Sequence, residues 1–346
     1  MKPLVSILIC AYNAEKTIAE TLESALAQTW PRKEIIVLND GSKDRTPEII
    51  RQFKDVKLIS TENQGFSNAQ NNVFGHSQGD YIQYLDADDL LAPDKIERQI
   101  LALQKVGNPR ILASSPWAYF YHRTKGTRFV DNSLCQSLSP VEWLVRKMGE
   151  NDHMQNATWL VHRELAEKAG PWDASLNYDQ DGEFFCRVLL GSDGTCFVPG
   201  TGIYYRRTGS SSISFIGNSN QKKESLLVSM KLHIKYLLSL EDSERTRAAC
   251  VTYLRNWFHH YYLQRTDLAA EIEAIAASLG GRLEPPKLPW KYAWMQKALG
   301  WQTATAIQMN YNKLKSKIFR TWDKIAFQYE GGPRHTLGEG YSHKGN

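Results

Sequence analysis

The apolar positions of the first hundred residues alternate between two spacings. Leu4–Cys10, "LVSILIC", is a nearly unbroken apolar run of strand length. After it Ile18, Leu22, Ala25 and Leu26 fall at i, i+4, i+7 and i+8, one face of a helix. Glu34–Asn39, "EIIVLN", predicts a second buried strand; the Asp-Gly-Ser after it supplies turn chemistry, and Thr46 and Pro47 an N-cap and first helical position. The rhythm continues through "VKLIS", a helix predicted over Ser67–Ser77, and the strand "YIQYL" at Tyr81–Leu85. Strands and helices alternating across short loops predict a mostly parallel sheet covered on both faces, a Rossmann-like α/β fold. In such sheets ligands bind beyond the carboxyl ends of the strands.

From about residue 100 to 215 this rhythm lapses and aromatic clusters take over ("PWAYFYH", "ATWLVH", "GPWD"), a segment read as the second half of the same domain. From Ser219 onward helical spacing dominates, interrupted by "EPPKLP" at Glu284–Pro289. The expected organisation is a domain over 1–216 divided near residue 100, a helical extension over 217–330, and a Gly-rich polar end over 331–346 read as disordered. A chain of 346 residues, 42% of them hydrophobic, has ample material for a core. No run approaches the roughly 18 apolar residues a membrane span needs, and the opening "MKPLVSILICAYNAEK" reads as a strand and not a signal peptide. Five scattered cysteines without Cys-x-x-Cys spacing argue against a disulfide framework or zinc site and favour a cytoplasmic location. The net charge of +5 is concentrated late: residues 282–334 hold ten Lys or Arg against three Asp or Glu.

Candidate chemistry begins where "YIQYL" ends. Asp86, Asp88 and Asp89 follow within four residues, at the rim of the ligand crevice, and Asp40 takes the equivalent place after "EIIVLN". In an extended segment Asp86 and Asp88 share a side. Two such carboxylates repel unless a cation lies between them, and Mg²⁺ or Mn²⁺ is commonly held by one or two carboxylates plus substrate phosphates. The plainer alternative is that these acids cap the helix starting near Pro93, which suits Asp89 and Asp94.

Four stretches, "VSILICAYNAEKTI", "EIIVLNDGSKDRT", "ENQGFSNAQNNVFGHSQGDYIQYLDADD" and "DQDGEFFCRV", resemble in order and spacing the family 2 glycosyltransferases of the GT-A fold, over about residues 3–215. The resemblance implies a GT-A domain, with a nucleotide-sugar-binding half over 1–100 and an acceptor and catalytic-base half over 101–216. It implies that Ala11 and Tyr12 lie against a uracil-like ring and that Asp40 bonds the base edge; without it, Tyr12 reads equally as a packing aromatic and Asp40 as an Asp-Gly turn. Asn71 would lie near the ribose and diphosphate, or serve as a helix hydrogen-bonder. Asp86 would be the ribose and metal-side acid and Asp88 the direct ligand of Mn²⁺ or Mg²⁺. Asp181 would be the catalytic base, with Asp179 and Glu183 two positions either side as shifted registers. One base and no nucleophilic carboxylate imply a single in-line displacement that inverts the anomeric centre. Trp172 is a candidate wall for a sugar ring or else plain core, and His153 and Gln155 are candidates for the acceptor side. Two departures from the family pattern stand out: Gln70 where an Arg is common, and Arg207-Thr208 where a His often follows Tyr-Arg. Arg206 or Arg207 facing the diphosphate would replace the charge missing at Gln70.

The expected partners are a nucleotide-sugar donor and a glycan or lipid-linked glycan acceptor, in cell-surface polysaccharide synthesis. Trp290, Trp294, Trp301 and Trp322 mixed with Lys and Arg suit either a helix on the inner, anionic face of a membrane or a helical cap with its basic face in water. Nucleic acid is disfavoured, since the catalytic half has neither a basic stripe nor a nucleic-acid motif. Three rivals differ in what they need. A nucleotidyltransferase needs a Gly-rich basic phosphate loop that "CAYNAEKT" lacks, a glycoside hydrolase needs two carboxylates flanking a bond, and a sugar-nucleotide sensor needs no Asp181.

Overall fold

A computed structural model describes residues 2–208, 216–217, 219–286 and 290–329. The chain runs β1 (Val5–Ala11), α1 (Ile18–Leu26), β2 (Lys33–Asp40), α2 (Thr46–Ile50), β3 (Lys57–Thr61), α3 (Phe66–Gly75), β4 (Tyr81–Asp86), β5 (Leu90–Leu91) and α4 (Lys95–Val106). Next come β6 (Ile111–Ser114), β7 (Trp117–Phe120), α5 (Pro140–Gly149), a 3-10 turn (Asn156–Thr158), β8 (Val161–His162), α6 (Arg163–Ala169), α7 (Gln180–Gly191), β9 (Gly194–Phe197) and β10 (Ile203–Arg206). The helices α8 (Asn220–Leu240), α9 (Glu244–Trp257), α10 (Thr266–Ser278) and α11 (Trp290–Tyr329) follow, with Gly300 out of helical geometry inside the last.

The main sheet has the order β3-β2-β1-β4-β8, parallel except for β8. Strand β1 is buried on both faces, as an apolar run without alternation requires, and Ile18, Leu22 and Ala25 of α1 are wholly buried. Helix α4 stops at Gly107, whose left-handed backbone (φ 70) lets its N–H reach the Leu103 carbonyl. Helix α5 starts where Ser139 accepts from the Glu142 N–H, with Pro140 in the first turn. The α/β fold and its mostly parallel sheet are as expected. At α2 the detail differs: Arg45 is the N-cap, and the Thr46 hydroxyl instead accepts from the Ala14 N–H at 2.8 Å, tying the loop after β1 to the next helix.

The domain boundary expected at 216/217 is not where the compact units part. One unit holds Met1–Tyr119 and Arg128–Pro286; the other holds Phe120–Thr127 and the chain from Lys287. Leu226, Met230 and Leu237 of α8 and Cys250 and Leu254 of α9 belong to the same apolar core as the sheet, so these helices complete the first unit. Within the second unit α11 turns Ser316, Asp323 and Phe327 toward 120–127. Tyr121 meets Ser316 at 3.2 Å, the Asp323 carboxylate accepts from the His122 N–H at 2.8 Å and from Arg123 Nε at 2.9 Å, and His122 stacks on Phe327. Among the described residues no helix is long and apolar enough to cross a membrane. The end at 331–346, expected to be disordered, lies outside the described residues.

Candidate active site

The chain leaves β1 for β2 and β3, then returns to pair β4 on the other side of β1. A crevice therefore opens beyond the carboxyl ends of β1 and β4. Register brings the expected donor residues to it: Cys10 lies opposite Asp86, Ala11 opposite Asn39, and Asp40 opposite Thr61. Tyr12 follows, half exposed, while Ala11 is buried. Asp40 is also buried, and its two carboxylate oxygens accept from the N–H groups of Gln64 (2.8 Å) and Gly65 (3.1 Å). The 63–65 loop thus crosses tightly over the turn. Gly41 makes this possible: its φ is 71, and a Cβ there would lie 2.6 Å from the Asn63 nitrogen. Asp40 folds this loop, and each of its oxygens keeps a second lone pair.

The carboxylates after β4 stand on a turn, not on an extended segment, since the Asp86 carbonyl accepts from the Asp89 N–H at 3.1 Å. The alternating-side expectation for Asp86, Asp88 and Asp89 is therefore replaced by a turn whose acids have different supports. Gln155 Nε2 donates to Asp86 (3.1 Å) and Asp89 (2.7 Å), and Asn156 Nδ2 donates to Asp86 at 3.3 Å. Asp89 is wholly buried and also accepts from the Arg206 N–H at 2.8 Å. It joins β4 to β10 and does not cap α4, because its oxygens are spent on Gln155 and Arg206. Arg206 is buried too, donating to the Asp88 carbonyl (2.8 Å) and to Glu20 (2.6 Å). It is a strut beneath the turn. Arg207 is exposed, with its guanidinium 4.1 Å from the centre of the Tyr119 ring.

The opposite wall is the start of α7. Glu183 is buried in a two-pronged pair with Arg187, both contacts 2.7 Å, and accepts from the Tyr236 hydroxyl. Asp179 holds a left-handed backbone (φ 59), and its carboxylate accepts from Ser229 while lying against Gly182, where a Cβ would overlap it. The Asp181 carboxylate lies near the Gly182 N–H and has no side-chain partner among the described residues. Of the three registers, it is the one that no other side chain holds. Burial, then repulsion from Asp179, pushes the Asp181 carboxyl up, opposed by the Gly182 N–H and the Lys147 ammonium. Burial, then repulsion from Asp88 and Asp181, pushes Asp86 up to about 7. The Asp181 carboxylate is thus near enough to Asp86 for the two charges to repel.

Other expected residues fall elsewhere. Trp172 is 2% exposed and stacks on Phe184 at 4.3 Å, so its ring is core and not a wall for a sugar. Asn71 exchanges two hydrogen bonds with the Trp172 backbone, 2.9 Å and 2.7 Å, so its amide is committed to holding that loop. Gln155 serves the turn after β4 and not an acceptor wall, its amide being spent on Asp86 and Asp89. His153 is exposed, with its ring 5.1 Å from that of Trp117, and its imidazole is pushed down by desolvation and then by the Lys147 ammonium, against the pull of the Asp181 carboxylate. Gln70 faces the core, neither amide atom hydrogen-bonded among the described residues. Asn156 and Lys147 were missed as site supports, and Arg206, expected to face the diphosphate, instead bonds the Asp88 carbonyl and Glu20. For Gln155 and Asn156 the available signal was two polar residues opening the otherwise apolar run "ATWLV".

The acids suit a divalent cation. Asp86 and Asp88 are both pushed up by burial, which disfavours their charged forms, and Arg206 is the cation acting on Asp88. No group of three or more His, Cys, Asp or Glu among the described residues forms a ready cage. An ion at Asp86 and Asp88 would take its remaining ligands from a diphosphate and water, the usual habit of Mg²⁺.

Solved structures share this architecture at low identity. The Staphylococcus aureus TarS fragment 1–349 with UDP-GlcNAc superposes with a TM-score of 0.64 at 16% identity, covering 81% of each chain. A Pyrobaculum calidifontis mannosyltransferase with GDP-Man and Mn²⁺ gives 0.51 at 17%, covering 94% of this chain and 84% of that one. The fold is GT-A. Residues 6–156 match the family model described as glycosyl transferase family 2. An uncharacterized glycosyltransferase of Rickettsia typhi is 33% identical over 188 residues, 54% of this chain and 59% of that protein. An Escherichia coli protein named UDP-Glc:alpha-D-GlcNAc-diphosphoundecaprenol beta-1,3-glucosyltransferase WfaP is 44% identical over 100 residues, 28% of this chain and 40% of its own. Residues 6–156 therefore carry the features of a glycosyl transferase family 2 domain. The chain's matches span less than two thirds of these relatives' length.

Proposed function

We propose that this chain transfers a sugar from a UDP-sugar to a hydroxyl of a glycan or lipid-linked glycan, with a divalent metal and inversion at the anomeric carbon, in cell-surface polysaccharide synthesis. The observation that carries this reading is Asp181, a buried carboxylate on the first turn of α7 that no other side chain holds, close enough to the Asp86 carboxylate to help push it up. Asp181 accepts the proton of the acceptor hydroxyl as that oxygen bonds to the sugar C1. The bond from C1 to the diphosphate breaks in the same displacement, its electron pair leaving with UDP. A metal bound by Asp86 and Asp88 would neutralise the charge that develops on the diphosphate. Tyr12 offers a ring face to the base, and Asp40 offers lone pairs to an imide N–H beside Ala11. Gln155 and Asn156 hold Asp86 toward the crevice. The name of the E. coli relative supports a uridine nucleotide for the donor half. Its match is too short to carry its acceptor across.

The test is UDP release from a panel of UDP-sugars, with and without Mn²⁺. Metal-stimulated release with one sugar and a glycan acceptor is expected; metal-independent glycan cleavage, or nucleotide binding without turnover on any acceptor, would overturn the reading.

For the lipid-linked acceptor, the second unit supplies the supporting feature. Ile307, Tyr311, Leu314, Ile318, Trp322, Ile325 and Tyr329 are exposed at spacings of three and four, one stripe along α11. Exposed Lys315, Lys317, Arg320 and Lys324 accompany it, while Asp323, the sole acid of α11, is bound to Arg123 on another face. An apolar stripe with basic neighbours suits an anionic lipid surface, whereas two copies packed on it would bring like charges together. Co-sedimentation with phosphatidylglycerol vesicles but not with phosphatidylcholine vesicles is expected. No sedimentation with either, or a dimer that buries the stripe, would contradict it.

A further inference from the structure

Helix α8 lies beyond the stretch matched by the family model, yet its polar residues face the loop that carries Asp181. Ser225, Ser229, His233 and Tyr236 recur at i, i+4, i+8 and i+11, one helical stripe, and the first three are buried. Each engages the 177–183 segment. The Ser225 hydroxyl accepts from the N–H groups of Asn177 (2.8 Å) and Tyr178 (3.0 Å) and donates to the Tyr178 carbonyl (3.2 Å). Ser229 donates to the Asp179 carboxylate. His233 Nδ1 lies 3.8 Å from that carboxylate and 3.0 Å from the Tyr253 hydroxyl, which brings α9 into the same network. Tyr236 donates to Glu183 at 2.7 Å. A polar stripe on the core-facing side of a helix loses apolar packing, so its place against one loop asks for a reason.

The loop supplies it. Asp179 sits in the left-handed region that a non-glycine residue avoids, and it begins the helix turn that presents Asp181. Its carbonyl accepts from the Glu183 N–H at 3.0 Å, so displacing Asp179 reorients the first turn of α7. We propose that the α8 stripe is the positioning device of the catalytic base, with Ser229 the positioning residue that holds Asp179 strained and so aims Asp181 at the acceptor hydroxyl. This rests on the assignment of Asp181 as base. Among the described residues the stripe's hydrogen bonds go to the 177–183 segment and to Tyr253, and none goes to the Asp86–Asp88 turn, so turnover and donor binding separate.

The test compares Ser229→Ala, Ser225→Ala, Asp181→Asn and the double variant Asp181→Asn/Ser229→Ala, each checked for an unchanged thermal midpoint. The expected result for Ser229→Ala is a kcat lower by about 10- to 100-fold, the scale of a misplaced catalytic group, with donor KM within about twofold. Ser225→Ala falls in the same direction, and the double variant is no slower than Asp181→Asn alone. Full activity of Ser229→Ala beside an inactive Asp181→Asn overturns the positioning role while leaving the base assignment standing. So does a KM rise that accounts for the whole loss, or a double variant slower by the full product. Full activity of Asp181→Asn overturns the base assignment itself.

Discussion

The two walls of the crevice are built by different means. On the donor side, parallel register alone delivers Ala11, Asp40 and Asp86 to one edge, and neighbouring amides of Gln155 and Asn156 hold the last. On the base side, no strand delivers Asp181. It stands on the first turn of α7, whose shape depends on a strained Asp179, a glycine without a Cβ and a helix roughly fifty residues further along the chain. A wall made by register tolerates side-chain change around it; a wall made by side-chain bracing does not.

Gly182→Ala breaks the braced wall most severely. The new methyl overlaps the Asp179 carboxylate and moves Asp181, and turnover should fall about 100-fold, with nucleotide affinity measured by calorimetry unchanged. Gln155→Leu tests the donor wall. It leaves buried Asp89 without its side-chain donor, so the protein should lose about 1–3 kcal/mol by denaturant unfolding, and metal should be needed at higher concentration. The smallest effect is on pH. In the proposed role Asp181 must be ionised; burial and Asp179 raise its pKa, and the Lys147 ammonium lowers it. Turnover therefore falls as pH drops through that raised value, and Lys147→Met, by removing a cation that favours the carboxylate, should move the acid limb of kcat to higher pH.

Legibility followed the same division. Apolar runs and helical spacing located the strands β1 to β4 and the helices α1 and α3 to within about two residues, because local patterning dictates them, while α2 ends at Ile50, short of the expected Phe53. The place of Asp40 and Asp86 at strand ends followed from that pattern. What Asp89, Arg206 and Gln155 do was not legible, since each bonds across 60 to 120 residues of chain and the sequence carries no sign of the partner. Trp172 stayed open between sugar wall and core because an aromatic near a motif reads the same whether it stacks on a sugar or, as here, on Phe184. The expected boundary followed the change to helical spacing after Ser219, a local signal that carries no sign of Leu226, Met230 and Leu237 packing into the core with the sheet.

In the proposed mechanism Asp181 acts on the acceptor and not on the donor. Measuring UDP-sugar affinity and acceptor-dependent UDP release side by side for Asp181→Asn separates the two. Affinity within about twofold of the parent and release lowered by about 100- to 10,000-fold are expected. Release at the parent rate, or loss of donor binding in step with it, would rule out that role.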